Sequence, residues 1–129
     1  MKGIILVIED NEQNLYLITF ILEKNGYKVF QARDGKEGIE LACRVNPSLI
    51  LLDIQLPVID GYAVARELRS KPGLADIPIV AVTSYAMVGD RERILAAGCS
   101  GYIEKPINPE TFLTEVERYL PNGESGKGG

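Results

Sequence analysis

The chain has 129 residues and 46% of them are hydrophobic, which is enough apolar surface for one folded domain and too much for a disordered chain. Its formal net charge is -4, and an acidic chain without a basic cluster is a poor ligand for nucleic acid. It contains no histidine, which excludes a serine–histidine or cysteine–histidine nucleophile pair and a histidine-ligated zinc ion.

The hydrophobic pattern predicts five strands that alternate with five helices. The predicted strands are Ile4 to Ile8, Lys28 to Ala32, Leu49 to Leu52, Ile79 to Val82, and Gly101 to Ile103. The predicted helices are Asn11 to Asn25, a stretch capped by Asp34 that runs to about Val45, a stretch preceded by Asp60, Val88 to Ala97, and a last helix that begins at Asn108-Pro109-Glu110. Such alternation predicts an α/β fold with a doubly wound parallel sheet. The first, third and fourth strands are apolar throughout, as expected for strands buried on both faces.

Charged and hydroxyl side chains stand where four of these strands end. They are Glu9 and Asp10 after the first strand, Asp53 after the third, Thr83 and Ser84 after the fourth, and Glu104 and Lys105 after the fifth. Ligands of doubly wound sheets collect outside the carboxyl ends of the strands. Neighbouring carboxylates repel one another, and Mg²⁺, which prefers oxygen ligands, relieves that repulsion. The pattern predicts a site for Mg²⁺ and a phosphoryl group that Lys105 and Thr83 contact.

Each of these residues also has an ordinary structural interpretation. Acidic residues after a strand often cap the next helix, threonine favours strands, and lysine is mostly exposed. Asp53 is harder to explain in this way, because a charge at the end of an apolar strand is costly to bury. The hypothesis therefore depends on the combination of residues at one edge of the predicted sheet.

The sequence resembles a response-regulator receiver domain, the CheY-like family of two-component signalling, from Lys2 to about Leu120. The motifs that carry the resemblance are Val7-Ile8-Glu9-Asp10-Asn11, Leu51-Leu52-Asp53-Ile54-Gln55-Leu56-Pro57, Asp60-Gly61, Val82-Thr83-Ser84, Ala97-Gly98, and Gly101-Tyr102-Ile103-Glu104-Lys105-Pro106. The stretches Asp53-Ile54-Gln55-Leu56-Pro57 and Thr83-Ser84-Tyr85-Ala86-Met87 also resemble single-domain receivers of the DivK type. The resemblance implies the flavodoxin-like strand order 2-1-3-4-5.

The resemblance implies a role for each matched residue. Asp53 is the implied phosphoacceptor, and Thr83 and Lys105 are the implied phosphoryl contacts. The implied Mg²⁺ ligands are Asp10 directly, Glu9 nearby or through water, Asp53, and the backbone carbonyl of Gln55. Thr83 and Tyr102 are the implied switch residues, and the bond to Pro106 is an implied cis peptide bond. A sensor histidine kinase or a histidine phosphotransfer protein would donate the phosphoryl group. A downstream effector would bind the face formed by the fourth helix, fifth strand and fifth helix, and its affinity would depend on phosphorylation. The protein would catalyse only its own phosphorylation and dephosphorylation.

Two other functions remain open at this point. One is an aspartyl-phosphate hydrolase of the haloacid-dehalogenase type, which uses a second aspartate two residues after the nucleophile as its acid and base. Here that position holds Gln55, which cannot protonate a leaving group. The other is a pseudo-receiver that binds partners without being phosphorylated.

The ends and the cysteines complete the sequence-based expectations. Residues 1–120 are predicted to form the receiver domain, and residues 121–129 a flexible glycine-rich tail or linker stub. The start shows no signal peptide and no apolar run is long enough to span a bilayer, so we expect a cytoplasmic protein without membrane insertion. Cys43 and Cys99 have apolar neighbours and are predicted to be buried free thiols.

Overall fold

A computed structural model describes residues 2–120, which form a five-stranded parallel sheet between two layers of helices. The strands are β1 (Ile4–Ile8), β2 (Lys28–Ala32), β3 (Leu49–Asp53), β4 (Ile79–Thr83) and β5 (Gly101–Glu104). The helices are α1 (Glu12–Lys24), α2 (Gly35–Val45), α3 (Gly61–Arg69), α4 (Val88–Ala96) and α5 (Phe112–Glu117). The strand order is β2-β1-β3-β4-β5, which confirms the predicted fold class and strand order. The predicted tail at 121–129 lies outside the described residues.

The sheet buries side chains on both of its faces. Leu6, Ile8 and Leu52 pack with residues of α2, α3 and α4 on one face. Ile5 and Leu51 pack with residues of α1 and α5 on the other face. Since side chains alternate between the faces of a strand, β1 and β3 need apolar residues at nearly every position. The prediction that the first, third and fourth strands are buried on both sides is therefore confirmed.

Short polar side chains start the first three helices. Asn11 accepts a hydrogen bond from the Asn14 amide at 2.9 Å, which begins α1. Asp34 and Asp60 accept equivalent bonds from amides three residues later, at 2.8 and 2.9 Å. Each bond satisfies an amide that has no partner inside the helix. Asp34 is thus used to start α2, whereas the acidic residues that follow β1 remain available for a site.

The last helix begins later than the sequence predicts. The Asn108 side chain accepts from the Glu110 amide, two residues on, at 3.0 Å. A helix cap and an Asx turn both make this contact, so the side chain does not separate them. The backbone does: residues 109–111 form a turn, with the Thr111 amide donating to the Asn108 carbonyl at 3.1 Å, and regular helix begins at Phe112. The helix was predicted to begin at Asn108, so the predicted start is wrong: it is too early by the length of this turn.

The two cysteines differ in their surroundings. Cys99 is buried, and burial raises the pKa of its thiol to about 11. Cys43 is exposed, so the prediction of a buried thiol is wrong there. Helix α2 buries a narrow stripe that includes Gly38 and Ala42, and the next residue is rotated by about 100° towards the outer face. Between residues 2 and 120, no helix combines the length and the apolar character that crossing a membrane requires.

Candidate functional site

The ends of β1 and β3 bring three carboxylates together. The two strands are neighbours, with Ile8 paired to Leu52, so the residues that follow these partners lie side by side. Carboxylate oxygens of Glu9, Asp10 and Asp53 all lie within 4.8 Å of one another. The convergence expected from the strand order is thus present in the structure.

Two of the three carboxylates are buried, and their negative charges are costly to keep out of water. Glu9 and Asp53 are only 1% and 2% exposed, whereas Asp10 faces solvent. The Lys105 ammonium lies 3.2 Å from Asp53 Oδ1 and 3.6 Å from Glu9 Oε1. The pKa of Glu9 is raised to about 7, mainly by burial and next by the charge of Asp53, against the lowering effect of Lys105. One ammonium group therefore does not compensate both buried carboxylates.

The residues present fit a hard divalent cation. Glu9 Oε1 is buried and has no hydrogen-bond partner within residues 2–120, which is costly for a carboxylate oxygen. The three acidic residues offer the oxygen donors that Mg²⁺ prefers, and solvent-facing Asp10 leaves one side of the cluster open to water. A cleft of about 550 Å³ lies over them. Its other lining residues are Asn11, Glu12, Asn14, Gln55, Ser84 and Lys105.

Hydrogen bonds from neighbouring amides orient the two buried carboxylates. The Gln55 amide donates to Asp53 Oδ1 at 2.9 Å, and the Lys105 ammonium contacts the same oxygen. The Asn11 amide donates to Glu9 Oε2 at 3.2 Å. One oxygen of Asp53 is therefore held by two donors. Its rotamer is restrained before any ligand arrives, which is the preorganisation that a reactive group needs.

The two predicted switch residues, Thr83 and Tyr102, do not line the cleft. Thr83 is fully buried and does not line the cleft; its hydroxyl accepts a hydrogen bond from the Tyr85 amide at 2.9 Å. Tyr102 is half-buried on β5, where it pairs with Ala81 in the ladder. Tyr85, two residues after Thr83, is 55% exposed and does not line the cleft either. Among residues 2–120, no hydrogen bond joins the Thr83 hydroxyl to a carboxylate of the cluster.

Lys105 is placed by its backbone. Its amide donates to the Thr83 carbonyl at 2.8 Å, which continues the β4–β5 ladder to the edge of the cleft. The Lys105–Pro106 peptide bond is cis, the geometry that the resemblance implies. Sequence reasoning missed Asn11, Glu12 and Asn14 as lining residues of the cleft. Their only signal was position, since the first turn of α1 directly follows Glu9 and Asp10.

An acidic cluster and one lysine at the switch point of a 2-1-3-4-5 sheet define a CheY-like α/β domain. The chain belongs to the response regulator receiver domain family, whose model matches residues 5–117. It is 42% identical over 120 residues to the polar-differentiation response regulator DivK of Brucella ovis, covering 93% of this chain and 98% of that protein. The resemblance to the receiver family and its DivK-type members is confirmed.

Solved structures share the fold. The chemotaxis protein CheY4 of Vibrio cholerae superposes with a TM-score of 0.89 at 27% identity, covering 93% of this chain and 100% of that one. The receiver domain of the sensor histidine kinase PA1611 from Pseudomonas aeruginosa superposes with a TM-score of 0.84 at 36% identity, covering 92% and 98%. That PA1611 structure holds a magnesium ion coordinated in its active-site cleft.

Proposed function

We propose that this receiver accepts a phosphoryl group on Asp53 in the presence of Mg²⁺. The donor is a phosphohistidine of a sensor histidine kinase or of a histidine phosphotransfer protein, and the product changes binding of a downstream effector. One observation carries the proposal: a buried, preoriented Asp53 shares its surroundings with Lys105 and with a Glu9 oxygen that has no hydrogen-bond partner among residues 2–120. A carboxylate pair that served only stability would not leave a buried oxygen without a hydrogen bond.

The chain's own residues divide the chemistry between them. Asp53 attacks phosphorus; an oxygen–phosphorus bond forms as the bond from phosphorus to the imidazole nitrogen of the donor breaks, and the imidazole leaves. Lys105, already 3.2 Å from Asp53 Oδ1, meets a phosphoryl oxygen as negative charge spreads over it. The carboxylates of Glu9, Asp10 and Asp53 and the Gln55 backbone carbonyl would hold the metal. Bound Mg²⁺ supplies charge neutralisation at the phosphoryl oxygens.

The switch is a population shift between two conformations. In the acyl phosphate form the Thr83 hydroxyl donates to a phosphoryl oxygen, and Tyr102 turns into space that Thr83 leaves. The face formed by α4, β5 and α5 then presents a different surface to its effector. Exposed apolar side chains of Met87, Val88 and Leu95 already lie on and beside α4, at 78%, 69% and 57% exposure. They give that face the apolar area that a protein partner can bury.

The direct test is phosphorylation of the purified chain. Incubation with acetyl phosphate and Mg²⁺ is expected to add one phosphoryl group by intact-mass spectrometry, and peptide mapping should place it on Asp53. Replacing Mg²⁺ with excess EDTA is expected to abolish the uptake. Absence of uptake, together with no chemical-shift change at Thr83 or Tyr102 on adding beryllofluoride at saturating Mg²⁺, would support the pseudo-receiver instead.

The hydrolase alternative has its own test. Turnover of p-nitrophenyl phosphate requires a group that protonates the leaving oxygen, and Gln55 has no such proton to give. We therefore propose that the protein is no enzyme beyond its own phosphorylation and dephosphorylation. Steady release of p-nitrophenol that disappears in an Asp53→Asn variant would contradict this proposal.

Removing the solvent-facing carboxylate of the cluster, Asp10, is expected to weaken metal binding. Asp10→Asn keeps the side chain's shape but removes one full charge from the cluster, so Mg²⁺ affinity measured by isothermal titration calorimetry should fall by about tenfold or more. Asp34→Asn is the matched control, because Asp34 caps α2 and lies outside the cleft. Equal Mg²⁺ affinity in the Asp10→Asn variant and the wild type would exclude Asp10 as a ligand.

Thr83→Ala is expected to separate phosphorylation from switching. The variant keeps Asp53, Lys105 and the acidic residues, so acetyl phosphate should still modify it. It lacks the hydroxyl that would report the phosphoryl group to the β4–α4 loop, so the Tyr102 resonances should move far less on adding beryllofluoride than they do in the wild type. A Tyr102 response of full size in the variant would remove Thr83 from the switch.

A further inference from the structure

Arg91 links the loop before α4 to Tyr102. Its Nε donates to the Ala86 carbonyl at 2.8 Å. Its guanidinium carbon lies 5.5 Å from the centre of the Tyr102 ring, within the range of a cation–π contact. Both contacts are made by an exposed residue of α4, and neither follows from the sequence pattern. One side chain thus touches both the loop and the aromatic residue of the proposed switch.

The same loop is tied to Thr83 at its other end. The Tyr85 amide donates to the Thr83 hydroxyl at 2.9 Å, and the Ser84 amide approaches the Gln55 side chain at 3.4 Å. If Thr83 turns towards a phosphoryl group on Asp53, the Tyr85 amide must either follow the hydroxyl or lose its acceptor. Ala86 is the next residue, so a Tyr85 amide that follows the hydroxyl displaces the Ala86 carbonyl relative to α4. The bond from Arg91 to Ala86 therefore belongs to the arrangement in which Thr83 faces its own loop.

We propose that Arg91 is a positioning residue that holds the loop 84–87 and Tyr102 in the unphosphorylated arrangement. The inference rests on the proposed function and names a regulator of that same site. A contact shifts a two-state equilibrium only by the difference between its free energies in the two states. Because movement of Ala86 breaks the Arg91 bond, that difference favours the unphosphorylated state. Loss of the side chain should release the loop and make the phosphorylated arrangement more accessible.

The test compares the wild type with Arg91→Ala. Beryllofluoride with saturating Mg²⁺ stands in for the phosphoryl group, and calorimetry should show it binding the variant about three- to tenfold more tightly. Before any beryllofluoride is added, the Tyr85 amide and Tyr102 ring resonances of the variant should already be displaced towards their positions in the bound wild type. If Arg91 had only a structural role, its loss would lower the melting temperature without moving these resonances towards their positions in the bound wild type.

Arg93→Ala is the matched control. Arg93 is on the same helix and carries the same charge, and its guanidinium stacks on Tyr62 at 4.0 Å instead of on Tyr102. Its beryllofluoride affinity should equal that of the wild type; an equal gain in both variants would assign the effect to charge and overturn the inference. Unchanged affinity and resonances in Arg91→Ala would overturn it too. Arg91→Leu, a good helix former that has neither a donor nor a charge, provides the same comparison should the alanine variant unfold. If the wild type itself binds no beryllofluoride, the proposed function fails, and this inference fails with it.

Discussion

An Asp53→Asn variant is expected to take up no phosphoryl group from acetyl phosphate and Mg²⁺. The amide is close in size to the carboxylate, so the packing around position 53 at the end of β3 should survive the change. The amide lacks the negative oxygen that attacks phosphorus, and a neutral side chain also weakens the hold on the metal and on Lys105. The loss should be complete within the detection limit of intact-mass spectrometry, which makes it the largest functional effect predicted for this chain.

The control for that variant is a carboxylate removed elsewhere. Asp34→Asn loses the same charge, but Asp34 accepts a hydrogen bond from the Glu37 amide at the start of α2, outside the cleft. It should be phosphorylated to the wild-type level. Uptake by Asp53→Asn to the wild-type level at the same residue would contradict the proposed mechanism. Uptake at another carboxylate would show that the acidic cluster, not Asp53 by itself, accepts the group.

A Gly61→Ala variant is expected to be strongly destabilised. A Cβ at this position would overlap the Cα of Ile54 and would lie 2.6 Å from the Asp53 carbonyl oxygen. Both are backbone atoms that no rotamer change can move aside, and the Gly61 amide also donates to the Ile54 carbonyl at 2.9 Å. Overpacking against fixed atoms should cost about 2–4 kcal/mol and lower the melting temperature by roughly 5–15 °C. The backbone carrying Asp53 must shift as well, so phosphorylation should slow.

Gly89→Ala provides the opposite expectation within the same chain. Gly89 lies in α4, and a Cβ there would meet no atom within 4 Å. Alanine in a helix loses less backbone entropy on folding, so the variant should be more stable by about 0.5–1 kcal/mol. Thermal unfolding of both variants separates the two cases. A Gly61→Ala protein that melts with the wild type would show that the start of α3 can move away from β3 at little cost.

Much of the fold was predictable because local and global signals agree. The run from Leu49 to Leu52 is apolar at every position, which suits a strand covered on both faces. Asp34 and Asp60 correctly predicted helix starts, because a short polar side chain satisfies a free amide at the start of α2 and of α3 alike. The misjudged start of α5 has a local cause: an Asn108 side chain bonded to the second following amide can begin a helix or close an Asx turn, and its residue type does not decide which.

The candidate site was predictable for a different reason. The positions of Glu9, Asp53 and Lys105 after apolar strands, together with a parallel sheet, place them at one edge before any side-chain geometry is known. Their convergence needed one further fact, that β1 and β3 are neighbours, which the family resemblance implied and the sheet order shows. The first turn of α1 was missed as part of the cleft because its residues carry no distinctive chemistry.

The sequence by itself determined the succession of strands and helices along the chain, the residue types at the strand ends, and the absence of histidine chemistry. These depend on periodicity and composition, which are properties of short stretches of chain. Only the tertiary structure decided that Glu9 Oε1 has no hydrogen-bond partner among residues 2–120, that Thr83 faces the Tyr85 amide, and that Arg91 spans from Ala86 to Tyr102. Burial, hydrogen-bond pairing and contacts between elements arise from how distant segments pack, so no local pattern encodes them.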